Sequence, residues 1–291
     1  MKTITKITEM RNYVKERQRN GDTIGFVPTM GYLHAGHRAL IKQAKQHNDV
    51  VIVSVFVNPL QFNQSSDLES YPRDFERDAN ILKQDGVEAV FYPDVDEMYP
   101  EDQSIELNVV RRTDVLCGKS RPGHFEGVVT VLSKLFNIIQ PNQVYFGSKD
   151  AQQVAVVDAL IQDLNFDIQL NLVSTVREAD GLALSSRNVN LESFEREEAH
   201  HLFKSLLKGQ DYIKSNQSRE RSVVIDIIKK YLNEHTTGKI DYVDCLSFPN
   251  LNENIDPNHD IIIAVAIYYK KARLIDNLIM DSTGLIKYGS E

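Results

Sequence analysis

The run Val50-Val51-Ile52-Val53-Ser54-Val55-Phe56-Val57 constrains the fold more than any other stretch of this chain. It is far shorter than the ~20 residues needed to span a bilayer. It also lacks the in–out alternation of a half-exposed strand. A short β-branched run of this kind reads as a strand covered on both faces, as in a parallel sheet flanked by helices. Ile261–Tyr269 has the same texture and reads as a second buried strand.

The surrounding segments fit that frame. Thr23–Val27 is an apolar run ending at Pro28, with Gly31 and Gly36 close behind. Ala39, Leu40, Ile41 and Ala44 then recur at helical spacing among Lys42, Gln43 and Lys45. Phe75–Gln84 predicts a helix with Ala79 and Leu82 on one side, and Glu88–Tyr92 a third strand closed by Pro93. Val128–Ile139 predicts an apolar helix stopped by Pro141, and Ala151–Leu164 a helix between strands Gln143–Phe146 and Ile168–Thr175. Strands alternating with helices imply right-handed βαβ crossovers and an α/β doubly wound parallel sheet. Ligands of such sheets sit beyond the carboxyl ends of the strands, here just after Val27, Val57, Phe146 and Thr175.

Beyond residue 190 the texture changes. Leu191–Lys214 and Arg219–Glu234 predict two charged amphipathic helices. Ile240–Phe248, Asp260–Tyr269 and Arg273–Met280 predict strands joined by Asn/Asp-rich turns. The expected organisation is a sheet domain over 1–176 and a smaller α+β domain over 177–291, which also suits a chain of 291 residues. No internal repeat or low-complexity segment interrupts it.

Charge narrows the partners. There are 33 basic and 41 acidic side chains, a net charge of −8, and residues 1–176 and 177–291 carry −5 and −3 of it. That even acidity argues against a protein that grips nucleic-acid phosphates. Cys117 and Cys245 match no zinc spacing, and MKTITKITEM has no apolar leader, so a reducing cytoplasmic setting is expected.

Five segments carry chemistry. In the first, Pro28-Thr29-Met30-Gly31-Tyr32-Leu33-His34-Ala35-Gly36-His37, a strand end turns through glycines into a helix whose N-terminus suits a phosphate. His34 and His37 stand three apart, though a βα turn bearing two surface histidines explains the pattern about as well. In the second, Asn58-Pro59-Leu60-Gln61-Phe62, the amides could bond a small polar ligand, but Asn-Pro is also a common turn. The third, Cys117–Phe125, is a cationic glycine-bearing loop with Lys119 and Arg121. Thr113 stands where a Walker motif needs its first glycine, which excludes a P-loop and leaves an anion-facing mobile loop or a solvated one. The fourth, Phe146–Gln153, is again a strand end running into a helix, where Lys149 could meet a phosphate and Asp150 cap the helix or bond a ribose hydroxyl, though a helix N-cap alone also explains it. The fifth, Arg177–Asn188, lies at the expected domain junction, and its Ser185-Ser186-Arg187-Asn188 packs phosphate-compatible donors into four residues, a density hard to explain as a linker. A His-x-x-His metal pair would need a third ligand that the nearby sequence lacks.

The His-x-x-His turn with a later Ser-rich cationic segment resembles the nucleotidylyltransferase superfamily, which includes class I aminoacyl-tRNA synthetases. The likeness is closer to the pantoate–β-alanine ligase (pantothenate synthetase, AMP-forming) family. It is carried by Pro28–His37, Phe56–Phe62, Tyr71-Pro72-Arg73, Arg121–Phe125, Gly147–Asp150 with Gln152 and Gln153, and Gly181–Asn188, in family order across most of the chain. Ser148 departs from the longer acidic or amide residue usual in that family.

The resemblance implies a Rossmann-like sheet of nucleotidylyltransferase type, with the second domain closing over the active site. It implies attack of pantoate's carboxylate on ATP, release of pyrophosphate, and capture of the pantoyl adenylate by β-alanine with loss of AMP. His34, His37, Lys149 and Arg187 would be catalytic, with Ser185 and Ser186 also on the triphosphate. The ATP site would be lined by Met30, Gly31, Tyr32, Leu33, Ala35 and Gly36 beside the histidines. Gly147, Ser148, Asp150, Val176 and Leu184 would complete it. Gln61 and Gln153 would hold pantoate, and Gln61 would also meet β-alanine. Mg²⁺ would accompany ATP, held mostly by phosphate oxygens and water, with Asp78 near it. A homodimer is expected on the same ground. Rival readings are another adenylyltransferase of the superfamily and a non-catalytic nucleotide-binding regulator, neither of which explains Gln61 with Gln153. Clustered cations can attract a small anion even on an acidic protein, so the net charge does not exclude a triphosphate.

Overall fold

In the computed structural model, which describes residues 1–63, 65–216, 220–255 and 258–288, the Val50 run lies inside a six-stranded sheet. The strands are β1 (Lys2–Ile4), β2 (Ile24–Thr29), β3 (Val50–Val55), β4 (Ala89–Phe91), β5 (Gln143–Gly147) and β6 (Gln169–Val173), in the order β1-β4-β3-β2-β5-β6. The pairs β1·β4, β4·β3, β3·β2 and β2·β5 are parallel, with Val53 opposite both Val27 and Val90. The doubly wound α/β expectation therefore holds.

Burial on both faces explains why β3 shows no alternation. Val51, Val53 and Val55 pack with Leu40, Ile41 and Ala44 of helix Ala35–His47 and with Leu82 of helix Phe75–Gln84. Among the strands of the sheet, Phe26 turns to Phe136 of helix His124–Ile139, edge to face at 6.5 Å, and Phe136 meets Phe166 at 5.4 Å.

Several boundaries differ from expectation for identifiable reasons. β1 and helix Ile7–Arg19 were not foreseen, because Lys-Thr-Ile is too short and too exposed to show a period. β3 ends at Val55, two residues early, and Asn58 caps a short 3₁₀ turn, Pro59–Gln61, through its side chain. The helix expected from Val128 begins at His124, because Gly123 enters it with φ 81°. The expected loop at 117–125 is instead helix Leu116–Ser120 running into that entry, with Leu116, Cys117 and Gly118 buried.

The chain forms two compact units. The first comprises Met1–Phe146 with Val156–Val173, and the second comprises Gly147–Ala155 with the chain from Ser174 onward. In the second, β7 (Lys239–Phe248), β8 (Asp260–Tyr268) and β9 (Arg273–Met280) form an antiparallel sheet in that order. Helices His201–Asn216 and Arg221–His235 cover one face, pressing Leu202, Leu206 and Ile213, with Val224, Ile228 and Leu232, onto Ile261, Ile263 and Val265.

The helix expected over Leu191–Lys214 is broken into Ser193–Glu198 and His201–Asn216. Buried Glu195 fixes the first piece by accepting from Glu192 N at 2.8 Å and Lys270 N at 2.9 Å, and Leu202 N then turns back to Ala199 O. Arg219, expected to open the next helix, lies outside the described residues.

Candidate active site

The turn after β2 is held by its own backbone and by one carboxylate. Gly31 and Tyr32 both take positive φ, 85° and 51°. A side chain at Gly31 would start 3.0 Å from Asp78 Oδ2 and 3.0 Å from Val55, so this position needs glycine on two counts. Asp78 accepts from Tyr32 N at 2.7 Å on Oδ2 and from Leu33 N at 2.8 Å on Oδ1, and is 1% exposed. Arg77 donates to Leu33 O at 2.8 Å and lies 4.8 Å over the Tyr32 ring. Thr29 Oγ1 donates to Ser54 O and accepts from Gly31 N, joining the turn to β3.

This scaffold sets the two histidines. His34 caps helix Ala35–His47, its Nδ1 accepting from Gly36 N at 3.1 Å, and His37 Nδ1 accepts from His34 N at 3.2 Å. The rings stand 4.1 Å apart, both half-buried. An Nδ1 that accepts from an amide carries no proton, so each neutral ring bears its hydrogen on Nε2. Met30, Gly31, Tyr32, Leu33, His34, Ala35, Gly36 and His37 thus form one continuous turn into a helix N-terminus, in which the amides of Gly31, Tyr32, Leu33, His34 and Gly36 are taken by protein acceptors and the imidazoles carry the Nε2 donors.

Gln61 stands against the same turn, its Nε2 3.0 Å from Met30 Sδ. Asn58 Nδ2 donates to Gln61 Oε1 at 3.2 Å and to Gly127 O at 3.0 Å, and Asn58 Oδ1 accepts from Tyr99 OH at 2.9 Å. Burial lifts the Tyr99 phenol well above its ordinary pKa, so it stays a donor. The Gln61 backbone carbonyl faces His124 Nδ1 at 2.8 Å and accepts from Arg121 Nη2 at 3.4 Å. A carbonyl can only accept, so His124 carries its proton on Nδ1 and offers Nε2 to Arg121 Nη1 at 3.2 Å. The cationic segment at 117–125 is therefore partly spent on orienting the Gln61 turn, which its composition did not reveal.

In the second unit, Ser148–Asp150 forms a 3₁₀ turn opening helix Ala151–Asp163. Gly147 precedes it, Ser148 is buried with Oγ 3.1 Å from Thr175 Oγ1, and Gln153 is half-buried on the helix. Lys149 Nζ lies 3.7 Å from Asp150 Oδ1. Leu184 N donates to Val176 O at 3.0 Å, and Ser185 Oγ accepts from Arg187 N at 3.2 Å to cap the turn Ser186–Asn190. Ser185 thereby keeps its hydroxyl hydrogen for another acceptor. Among the described residues the Arg187 guanidinium has no ion-pair or hydrogen-bond partner. The neighbouring acids are committed elsewhere: Glu178 and Asp180 both bind Arg196 at 2.6 Å. Burial pushes Asp180 up, but Arg196 and the Leu182 amide outweigh it and hold the carboxyl below its ordinary pKa.

Sequence reasoning missed Tyr99, Arg77 and the pair Arg177–Asp276, which joins Arg177 to β9 at 2.7 Å and 3.0 Å. None had a signal in its own neighbourhood, since each acts on a segment far along the chain. Asp78 was visible as an acid, but the amides it serves were not. Among the described residues, no group of three or more His, Cys, Asp or Glu could hold a metal ion, and no helix is long and apolar enough to cross a membrane. Cys117 and Cys245 are buried free thiols.

A parallel sheet with a glycine- and histidine-bearing turn after an inner strand defines an α/β protein of the class that binds ligands beyond its strand ends. The family model described as Pantoate-beta-alanine ligase matches residues 2–279. Pantothenate synthetase of Bacillus cereus (strain G9842) is 49% identical over 278 residues, covering 96% of this chain and 98% of that protein. The crystal structure of pantothenate synthetase from Thermus thermophilus has a TM-score of 0.86 at 40% identity, covering 96% of this chain and 99% of that one. A Francisella tularensis pantoate-beta-alanine ligase, solved with beta-gamma ATP and beta-alanine, has a TM-score of 0.78 at 35% identity, covering 96% and 97%. The chain belongs to the pantoate–β-alanine ligase family.

Proposed function

We propose that this protein is an AMP-forming ligase that condenses (R)-pantoate with β-alanine. A carboxylate oxygen of pantoate attacks the α-phosphorus of ATP, and the bond to the bridging oxygen breaks with loss of pyrophosphate. The β-alanine amine then attacks the acyl carbon of the pantoyl adenylate, sheds a proton, and expels AMP. No covalent bond to the protein is required, so the residues act by positioning and by compensating charge on the phosphates.

The observation that carries this reading is the pair His34 and His37, whose Nδ1 atoms are both occupied by backbone amides. Their Nε2 hydrogens are assigned to phosphate oxygens as hydrogen bonds. Lys149 and Arg187 supply fixed positive charge, Ser185 and Ser186 hydroxyl donors, and Gln61 and Gln153 bind pantoate. Gln61 is assigned to β-alanine as well. Asp78 is assigned to the Gly31–Leu33 turn, since both its oxygens already accept amides. Lacking a cluster of protein ligands, the described residues do not fit a resident metal; Mg²⁺ is proposed only as the partner of ATP. A homodimer in the cytoplasm is proposed from the family, and light scattering tests its stoichiometry.

The decisive assay is exchange of labelled pyrophosphate into ATP with pantoate present and β-alanine absent. Pantoate-dependent exchange is expected; none at saturating Mg²⁺-ATP and pantoate refutes the proposal.

A further inference from the structure

Two adjacent residues of β9 reach two separate segments of the second unit. Alternation along a strand sends Asp276 and Asn277 to opposite faces. Leu274, Leu278 and Met280 share the face of Asp276 and lie in the core beneath the helices. There Asp276, 2% exposed, takes both Nη atoms of Arg177. That guanidinium also donates to Gly181 O at 3.1 Å and rests 3.7 Å from the centre of the Phe203 ring. β9 is thereby pinned against lateral movement at this register.

On the opposite face Asn277, 7% exposed, donates Nδ2 to Lys149 O at 2.7 Å and to Ser148 O at 3.1 Å. A primary amide has two hydrogens, so both carbonyls are served at once. The two carbonyls are consecutive, and pinning them fixes both peptide planes that flank the Lys149 α-carbon. The direction in which its side chain leaves the backbone is then set. The ammonium has little else to orient it: its ion-pair contact is Asp150 at 3.7 Å, on an exposed side chain.

We infer that Asn277 is a positioning residue that aims Lys149 by clamping the carbonyls on either side of it. The inference rests on the reading above, in which Lys149 meets the phosphates of ATP. Asn277 itself is assigned no contact with substrate.

The test uses the full-length protein and three variants. In pantoate-dependent pyrophosphate exchange, Asn277→Ala is expected to lower kcat/KM for ATP ~30-fold, the scale on which small misplacements of a catalytic group act. The KM for pantoate should change less than about threefold, since Lys149 is assigned to ATP alone. Gln210→Leu serves as a stability control, because Gln210 is likewise buried in this unit and its amide donates to Gly284 O at 2.8 Å and not to the carbonyls of Ser148 or Lys149. Its exchange rate should stay within about threefold of wild type. In a Lys149→Ala background, Asn277→Ala should cause no further loss, because the group it aims is gone.

An Asn277→Ala protein with wild-type exchange, or an undiminished further loss in the Lys149→Ala background, overturns the inference. Should Asn277→Ala not fold, Asn277→Ser keeps one donor for one carbonyl; an intermediate kcat/KM for ATP supports the clamp, and a wild-type value overturns it. If wild-type protein itself shows no pantoate-dependent exchange, it is the proposed activity that fails.

Discussion

Replacing Asp78 by asparagine is expected to loosen the Gly31–Leu33 turn at a calculable cost. The carboxylate accepts two backbone amides at 2.7 and 2.8 Å, on different oxygens. An asparagine keeps one of those acceptors and turns an NH₂ group towards the other amide. Two donors then face each other in a site almost sealed from water. Each buried donor left unsatisfied costs ~1–3 kcal/mol, so the expected loss is about 3 kcal/mol. Against a total stability of roughly 5–15 kcal/mol that is a large fraction. It corresponds to a fall in Tm of roughly 6–12 °C for a unit of this size. Calorimetry measures it directly, and pyrophosphate exchange reports whether the histidines have lost their setting. The KM for ATP should rise in the same variant. Melting within about 2 °C of wild type, with an unchanged KM, would refute the assignment of Asp78 to the turn.

Three further outcomes are expected. Lys149→Ala should depress exchange by roughly 10²-fold or more while moving Tm by no more than about 2 °C, since its contact with Asp150 is long and exposed; an equal loss of folding would point to a structural role. Gly127→Ala should destabilise by about 2–3 kcal/mol in urea unfolding, because a Cβ there would stand 2.5 Å from the Leu60 backbone. A neutral effect would show that helix His124–Ile139 does not approach that turn so closely. His201 is held at a pKa of about 4 by burial and by His200, His235 and Lys204. Its native pKa lies below the unfolded value near 6.5, so the unfolded chain binds more protons between these values. This contribution is complete above about pH 6.5 and is lost as the pH falls towards 4. His201→Gln should lose less urea stability between about pH 7 and pH 5 than wild type, and an identical loss in both would exclude His201 as the source.

Local pattern reveals an element when the element's burial is one-sided and periodic, or wholly apolar. Helix Phe75–Gln84 and strand Arg273–Met280 were legible to the residue because their apolar positions and flanking turn residues carry their own boundaries. β1 was not legible: three residues form a strand only because β4 offers a paired edge. The break between Glu198 and His201 was equally hidden, as it depends on Glu195 finding the amide of Lys270, far along the chain. At 117–125 the composition showed cations but not their use, since the Gln61 carbonyl that takes Arg121 and His124 belongs to another segment.

The sequence by itself determined a parallel α/β sheet followed by a smaller α+β unit, and it offered the imidazoles, cations and amides from which a phosphate site can be built. These follow from side-chain period and residue chemistry, which are local properties. Tertiary structure decided which nitrogen of each histidine bears its proton, what Asp78 binds, and how Asn277 grips the turn carrying Lys149. Each depends on a hydrogen-bond partner brought near by folding, and such a partner leaves no mark on the residues beside it in the chain.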